Sequence, residues 1–408
     1  MKYNVIRNES YDFKNESYSS LYPNIHKYPA TMLPQLGIKI LKELNISKGK
    51  MLDPYCGSGS SFSSGLECGI NFIYGYDINP LAALISNVKF TKIPVNSLVS
   101  ARKIFEEKIL DFIIKNDATI FEKPSVTNID FWFSDKTIYK LQVLKYFINE
   151  IKDKKLKNFF LIPFSETVRD CSYTRKNEFK LYRMKENEIF KFAPNVFNVY
   201  LDKLYKLIFV YKNFYLPKLI GNINIKIECS KLSVKKDFYD IVLTSPPYGD
   251  SKTTVAYGQF STLSNEWMDI DYARKIDSLS MGGIKSKLLI NKGLISDYIS
   301  KINSIDNKRA LEVSSFYNDL EESIKNVSYS LKKGGKVIYI VGNRRVKNIE
   351  LPTDQFVAEK FEENGLKHLL TYKRAINSKS MPSKNSPTNK KGETKNTILY
   401  EYIIVCEK

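Results

Sequence analysis

A chain of 408 residues, 43% of them hydrophobic, has enough apolar material for a sizeable core, with room for a large insert, and excludes wholesale disorder. Its 63 Lys and Arg against 44 Asp and Glu leave a net charge of +19, which points to a polyanionic partner, nucleic acid first; a composition rich in Lys, Asn, Ile and Tyr is the bland alternative source of that charge. Five scattered cysteines without a Cys-x-x-Cys pair, two histidines, a polar N-terminus and no run of ~18 apolar residues argue against disulfides, zinc, a signal peptide and a membrane span, and predict a cytoplasmic protein with no metal.

The first strong pattern is a short strand over 50–54 that runs into Asp53-Pro54-Tyr55-Cys56-Gly57-Ser58-Gly59. A helix from Ser60 to Cys68 follows, closed by Gly69, and then a second strand over 72–77 with Asp77 at its end. Asp77 comes twenty residues after Gly57, the spacing of a nucleotide-binding strand–turn–helix–strand unit whose acid takes a ribose hydroxyl pair. The glycines let a ligand approach the backbone closely. A dinucleotide site would want a third glycine near position 62, where this chain has Phe62, so the pattern favours a cofactor without a pyrophosphate. Asp53 would repel a phosphate and accept from an α-amino group. S-adenosyl-L-methionine carries that ammonium and a ribose, and no phosphate. The structural alternatives are a helix N-cap for Asp77 and a turn-forming role for Asp53.

Residues 92–222 are far more than a crossover needs and read as a mainly helical insert, with helices over Leu98–Lys115, Lys136–Asp153 and Asn195–Lys212. Between them Phe164–Arg183 mixes cations, hydroxyls and aromatics. Arg169, Ser172, Arg175, Lys180 and Arg183 are its candidate DNA contacts, against the alternative of a solvated helix face with a loop. Strands follow over 223–229 and 239–244, the second leading into Thr244-Ser245-Pro246-Pro247-Tyr248-Gly249. The prolines fix φ and remove two backbone donors. Free carbonyls and a hydroxyl beside an aromatic suit a planar substrate with an exocyclic amine; a plain strand-to-loop exit is the alternative. Residues 250–311 form a second insert on the substrate side, with Lys252 and Tyr257 as further DNA contacts. A helix over Glu312–Lys332, closed by Gly334-Gly335, precedes strands over 335–342, 367–374 and 397–406, the last two an antiparallel pair around a polar, Lys-rich loop.

Asp53-Pro54-Tyr55-Cys56-Gly57-Ser58-Gly59 and Ser245-Pro246-Pro247-Tyr248, in that order and each after a strand, resemble the cofactor and catalytic motifs of the DNA amino-methyltransferases. His26–Pro34 resembles that family's N-terminal cofactor motif, and Arg374–Pro382 a late motif beside the target base. The serine form of the catalytic motif is most typical of the N4-cytosine members.

The resemblance implies an α/β, Rossmann-like class I methyltransferase. Its seven-stranded, mostly parallel sheet ends in an antiparallel pair and carries the large helical insert. The catalytic domain would span 1–91 and 223–408, with 92–222 reading the target. Cofactor contacts would come from Tyr28, Pro29, Ala30 and Thr31, from Asp53, Pro54, Tyr55, Gly57, Ser58 and Gly59, from Asp77 and Ile78, and from Cys229 and Ser245. Ser245 and Pro246 would accept from the amine, with Pro247 and Tyr248 completing the motif, and Arg374 and Lys379 would contact DNA. A cytosine of double-stranded DNA would flip out to be methylated at N4, in a restriction-modification system beside a separate restriction endonuclease. Tyr248 would stack on it, or else simply lid the sheet end. N6-adenine DNA methylation, RNA amino-methylation and a non-catalytic DNA-binding subunit are the rivals.

Overall fold

The computed structural model describes every residue except 1, 15, 17–20, 30, 116–118, 120, 177, 251–254, 377–383, 386–394 and 397, and only the backbone of 384, 385, 395 and 396. One eight-stranded sheet organises them. In chain order its strands are β1 (Ile6–Arg7), β2 (Lys50–Asp53), β3 (Phe72–Tyr76), β4 (Asn224–Glu228), β5 (Tyr239–Thr244), β6 (Leu331–Gly342), β7 (Lys367–Ala375) and β8 (Tyr400–Glu407). Across the sheet they lie β1-β7-β8-β6-β5-β2-β3-β4. The block β6-β5-β2-β3-β4 is parallel throughout, and β8 runs antiparallel to both β6 and β7. The seven expected strands are β2 to β8. The extra edge, β1, is two residues laid parallel on β7, too short to leave a period in the sequence.

Longer helices cover both faces: α1 (Pro34–Glu43), α2 (Ser60–Glu67), α3 (Pro80–Phe90), α4 (Val95–Ile114), α5 (Asp135–Glu150), α6 (Lys154–Asp170), α7 (Val196–Val210), α8 (Tyr257–Trp267), α9 (Ser296–Asn303), α10 (Asn307–Ser330) and α11 (Thr353–Glu363). Alternate residues along each strand feed two separate cores. Met51, Ile241, Leu243, Ile338 and Ile340 face one core; Leu52, Val242, Val337, Tyr339 and Val341 face the other. The insert helices join the first core, where Phe105, Leu144, Phe160 and Tyr200 are continuous with the sheet residues. Helices α10 and α11 cover the second face through Phe316, Leu320, Ile324 and Phe356.

One local reading is refined and another changes. The polar stretch 164–183 is helix as far as Asp170, because α6 continues across an internal Pro163. A proline so placed disguises a helix. Gly334-Gly335 do not close α10. That helix ends at Ser330, β6 starts at once, and the glycines fall where β6 slips register against β5, with Gly334 at φ +75°.

Phe62, at the position where a dinucleotide fold carries glycine, is fully buried and packs edge-on to Phe90, ring centroids 5.5 Å apart. The missing glycine reappears opposite. A Cβ on Gly75 of β3 would sit 2.1 Å from Phe62 Cζ. We expect Gly75→Ala to lower unfolding stability by about 1–3 kcal/mol, the usual range for overpacking a core. Adding Phe62→Leu should recover part of it. An unchanged urea midpoint for Gly75→Ala would contradict this packing.

Candidate active site

Strand β2 leads on to β3 and β4 on one side, while β5 leads to β6 on the other. The crevice beyond the carboxyl ends of such a diverging pair is the common ligand site of open α/β sheets. Both sequence motifs end there. Thr244 Oγ1 at the end of β5 donates to Asp53 Oδ1 at the end of β2, 2.5 Å away. Tyr55 N donates to the same oxygen at 3.0 Å, and Ser61 Oγ donates to Oδ2. A carboxylate has about four acceptor positions, so Asp53 has little capacity left. It braces two strand ends and the turn and still lines the cavity with one acceptor position open. Burial pushes its carboxyl up to about 6.

Asp77 differs. Oδ2 accepts from Gly57 N at 2.9 Å and Oδ1 from Asn79 N at 2.8 Å, which leaves one acceptor position on each oxygen. The N-cap of α3 is Asn79, not Asp77. Burial also pushes Asp77 up to about 6. Gly57 is left-handed at φ +49°, and a Cβ on it would meet nothing within 4 Å, so it faces open space. From behind, Ser86 Oγ donates to Gly57 O at 2.6 Å and the buried Lys89 Nζ to Ser58 O at 2.8 Å. Burial holds the Lys89 ammonium down to about 7.

These residues border a cavity of about 270 Å³. Of the expected cofactor residues, Tyr28, Thr31, Asp53, Pro54, Tyr55, Gly57, Ser58, Asp77, Ile78 and Ser245 line it. Pro29, Gly59 and Cys229 do not. Pro29 is buried, Gly59 is the left-handed N-cap of α2, and the exposed Cys229 thiol bonds to Ile78 O beside the lining residues Ser230, Lys231 and Leu232. Ala30 lies outside the described residues. The sequence reading missed a polar stripe on α10, Asp319, Glu322, Ser323 and Asn326, which forms the opposite wall with Ile276 to Met281 of the second insert. Its three- and four-residue spacing, beside the apolar stripe of Phe316, Leu320, Ile324 and Val327, was the available signal.

Pro247 reaches the cavity, while Pro246 is buried and Tyr248 lies behind Ser245. The Tyr248 ring packs on β6, where a Cβ at Gly342 would fall 2.7 Å from its Cδ2. Tyr257, expected on DNA, instead lines the cavity and stacks on Tyr28 with centroids 5.9 Å apart. Three other expected DNA contacts bond within the protein, Ser172 and Arg374 buried and Arg169 half-buried. Arg169 donates to Phe260 O and Glu178 O, Ser172 is fully buried against Arg169 O and Thr174, and Arg374 is 3% exposed and paired with Glu401. Arg175 is exposed; Lys180 and Arg183 are half-buried, with Arg183 Nε on Phe131 O. Lys252 and Lys379 lie outside the described residues. Among those described, no helix is long and apolar enough to cross a membrane.

The chain is 40% identical over 427 residues to the type II methyltransferase M.MvaI of Kocuria varians, spanning 98% of this chain and 94% of that protein. The chain belongs to the type II DNA methyltransferase family. A second relative, the type II methyltransferase M.MjaII of Methanocaldococcus jannaschii, is 29% identical over 217 residues, 52% of this chain and 37% of that one. A solved SAM-dependent methyltransferase of Methanosarcina mazei aligns over 90% of this chain and 96% of its own, at 10% identity and a TM-score of 0.32, too low to carry an argument. No protein-family model matches the chain.

The methyl donor of this methyltransferase is S-adenosyl-L-methionine. The cavity suits it: two open acceptor positions on Asp77 match a ribose diol, and the bare Gly57 backbone admits close approach. With their carboxyls raised to about 6, Asp53 and the half-buried Asp77 take up protons as pH falls through that value. Ligand hydroxyls need acceptors, so cofactor affinity should be full above that value. It should fall as pH drops through it, by up to about tenfold per unit for each proton taken up. In Asp77→Asn, affinity should be weaker and its pH slope shallower. Titration calorimetry from about pH 5 to about pH 8 measures both, and a flat wild-type profile would remove Asp77 from cofactor binding.

Proposed function

We propose that this DNA methyltransferase modifies the N4 amine of a cytosine flipped out of duplex DNA, in the cytoplasm, as the modification half of a restriction-modification pair. One observation carries the reading. Ser245 sits on the cavity wall and points its hydroxyl hydrogen at Tyr248 Oη, 3.2 Å away, so its lone pairs are free to accept from an amine. The exocyclic amine of cytosine is a poor nucleophile because its lone pair is shared with the ring. Acceptors on its hydrogens favour a more tetrahedral nitrogen and release that pair. In this reading Ser245 and the Pro246 carbonyl are those acceptors, and the bound cofactor supplies an electrophilic methyl held in line at about 3–3.5 Å. A neutral hydroxyl is a weak base, so proton loss follows methyl transfer.

Target reading falls to the insert. Thr174 and Arg183 bridge a hairpin that carries exposed Arg175 and Lys176. Leu181 N donates to Gln259 Oε1 of α8, so the hairpin is docked on the helix whose first residue, Tyr257, lines the cavity. Cations there are positioned to meet phosphates beside the site.

Purified protein should transfer labelled methyl to duplex DNA, and nucleoside analysis should find N4-methylcytosine. Ser245→Ala should lower kcat about 100-fold while cofactor affinity survives. N6-methyladenine as product would overturn the choice of base. Transfer to RNA alone would overturn the whole reading.

A further inference from the structure

Behind Ser245 runs a continuous chain of hydrogen bonds that the acceptor role alone does not use. Ser245 Oγ donates to Tyr248 Oη at 3.2 Å, and Tyr248 Oη donates to Glu401 Oε1 at 3.0 Å. The other Glu401 oxygen, Oε2, meets both Nε and Nη2 of Arg374 at 2.8 and 2.7 Å, an ion pair across neighbouring strands β7 and β8. The remaining nitrogen, Arg374 Nη1, donates to Tyr11 O at 2.9 Å. Donation converges on Glu401 from both sides, from Ser245 through Tyr248 on one and from Arg374 on the other. A buried arginine orients a carboxylate, the carboxylate orients a phenol, and the phenol claims the serine hydrogen. Burial, helped by Glu401, pushes the Tyr248 phenol well above its ordinary value, so it stays a donor.

We propose that Glu401, fixed by Arg374 and acting through Tyr248, is the positioning residue and final proton acceptor for methyl transfer at Ser245. This rests on the reading of Ser245 as the residue facing the acceptor amine. A hydroxyl alone can neither choose its own rotamer nor keep a proton, and the chain supplies both functions. Before transfer it holds the Ser245 lone pairs toward the amine. The acceptor nitrogen then gains the methyl as the donor's sulfur–carbon bond breaks and sulfur keeps the electron pair, so the positive charge moves to nitrogen. That nitrogen releases one proton to Ser245 Oγ, Ser245 passes its own to Tyr248 Oη, and Tyr248 passes its own to Glu401 Oε1. The amine ends neutral and Glu401 protonated. The Glu401 side chain is 15% exposed, enough to return the proton to water.

Glu401→Gln keeps the shape and removes the charge, and Tyr248→Phe keeps the ring and removes the relay atom. Each should lower single-turnover methyl transfer about 100-fold. Dissociation constants for cofactor and duplex DNA should stay within about twofold, and melting temperatures near the wild type report intact folding. The double variant should be no slower than Tyr248→Phe alone, and the wild-type solvent deuterium isotope effect should change in both single variants. A structural brace would move binding and stability instead. With an active wild type, an equally active Glu401→Gln, or additive losses in the double variant, overturns the relay and leaves the acceptor role of Ser245 standing. A wild type that transfers no methyl to DNA overturns both.

Discussion

The hydrogen bond between Thr244 and Asp53 ties together the ends of β5 and β2, the two strands at which the sheet changes direction. Chains leaving such a pair must part, so a crevice opens there whatever the side chains are. Two carboxylates stand at its edge and divide the work. Asp53 spends three acceptor positions on Thr244, Tyr55 and Ser61 and so locks the glycine turn to both strands. Asp77, held by two backbone amides, keeps its outer positions open. Buried charges of this kind survive only where hydrogen bonds replace water. With Asp53 mostly satisfied internally, Asp77 keeps the larger open acceptor capacity at the cavity.

The same division recurs on the other side of the crevice. Ser245 meets the cavity, whereas Tyr248, Glu401 and Arg374 recede behind it. Arg374 and Glu401 project from strands β7 and β8, and Tyr248 packs on β6 so tightly that Gly342 cannot carry a Cβ. A site held on rigid strands through a second set of side chains keeps its geometry better than one carried by a loop. That explains why β8, the antiparallel strand inserted between β6 and β7, belongs to the site although none of it touches the cavity.

The sheet was legible because alternate faces of β2, β5, β6 and β8 bury different cores, which leaves apolar runs of strand length bounded by turns. The two motifs were legible because glycine and proline mark backbone conformations directly. What could not be read was the partner of a charged or polar side chain. Arg374 and Glu401 are far apart in sequence and meet only because β8 lies beside β7. Ser172 sits in a polar stretch and is fully buried because α6 runs further than Pro163 suggests. Cys229 and Ser230 are adjacent, and only the twist of the chain leaving β4 decides which of them faces the cavity.

The net charge of +19 shows the same gap between composition and use. As composition it points to a field for a polyanion, yet several arginines are struts. Arg169 holds two carbonyls, Arg374 holds Glu401 and Tyr11, and Arg309 and Arg344 converge on Asp250. Guanidinium groups suit this role because one planar fork satisfies several acceptors at once. Under the proposed function, the cations that remain to meet a duplex are largely lysines, with Arg175 on the hairpin among them. Lysine is a point charge that positions a phosphate backbone and carries little base information. Sequence discrimination then has to come from elsewhere on the insert. Under that reading, exposed Arg175, which can pair with guanine, and the exposed aromatics Tyr182 and Phe190 on its segment are candidates to supply it.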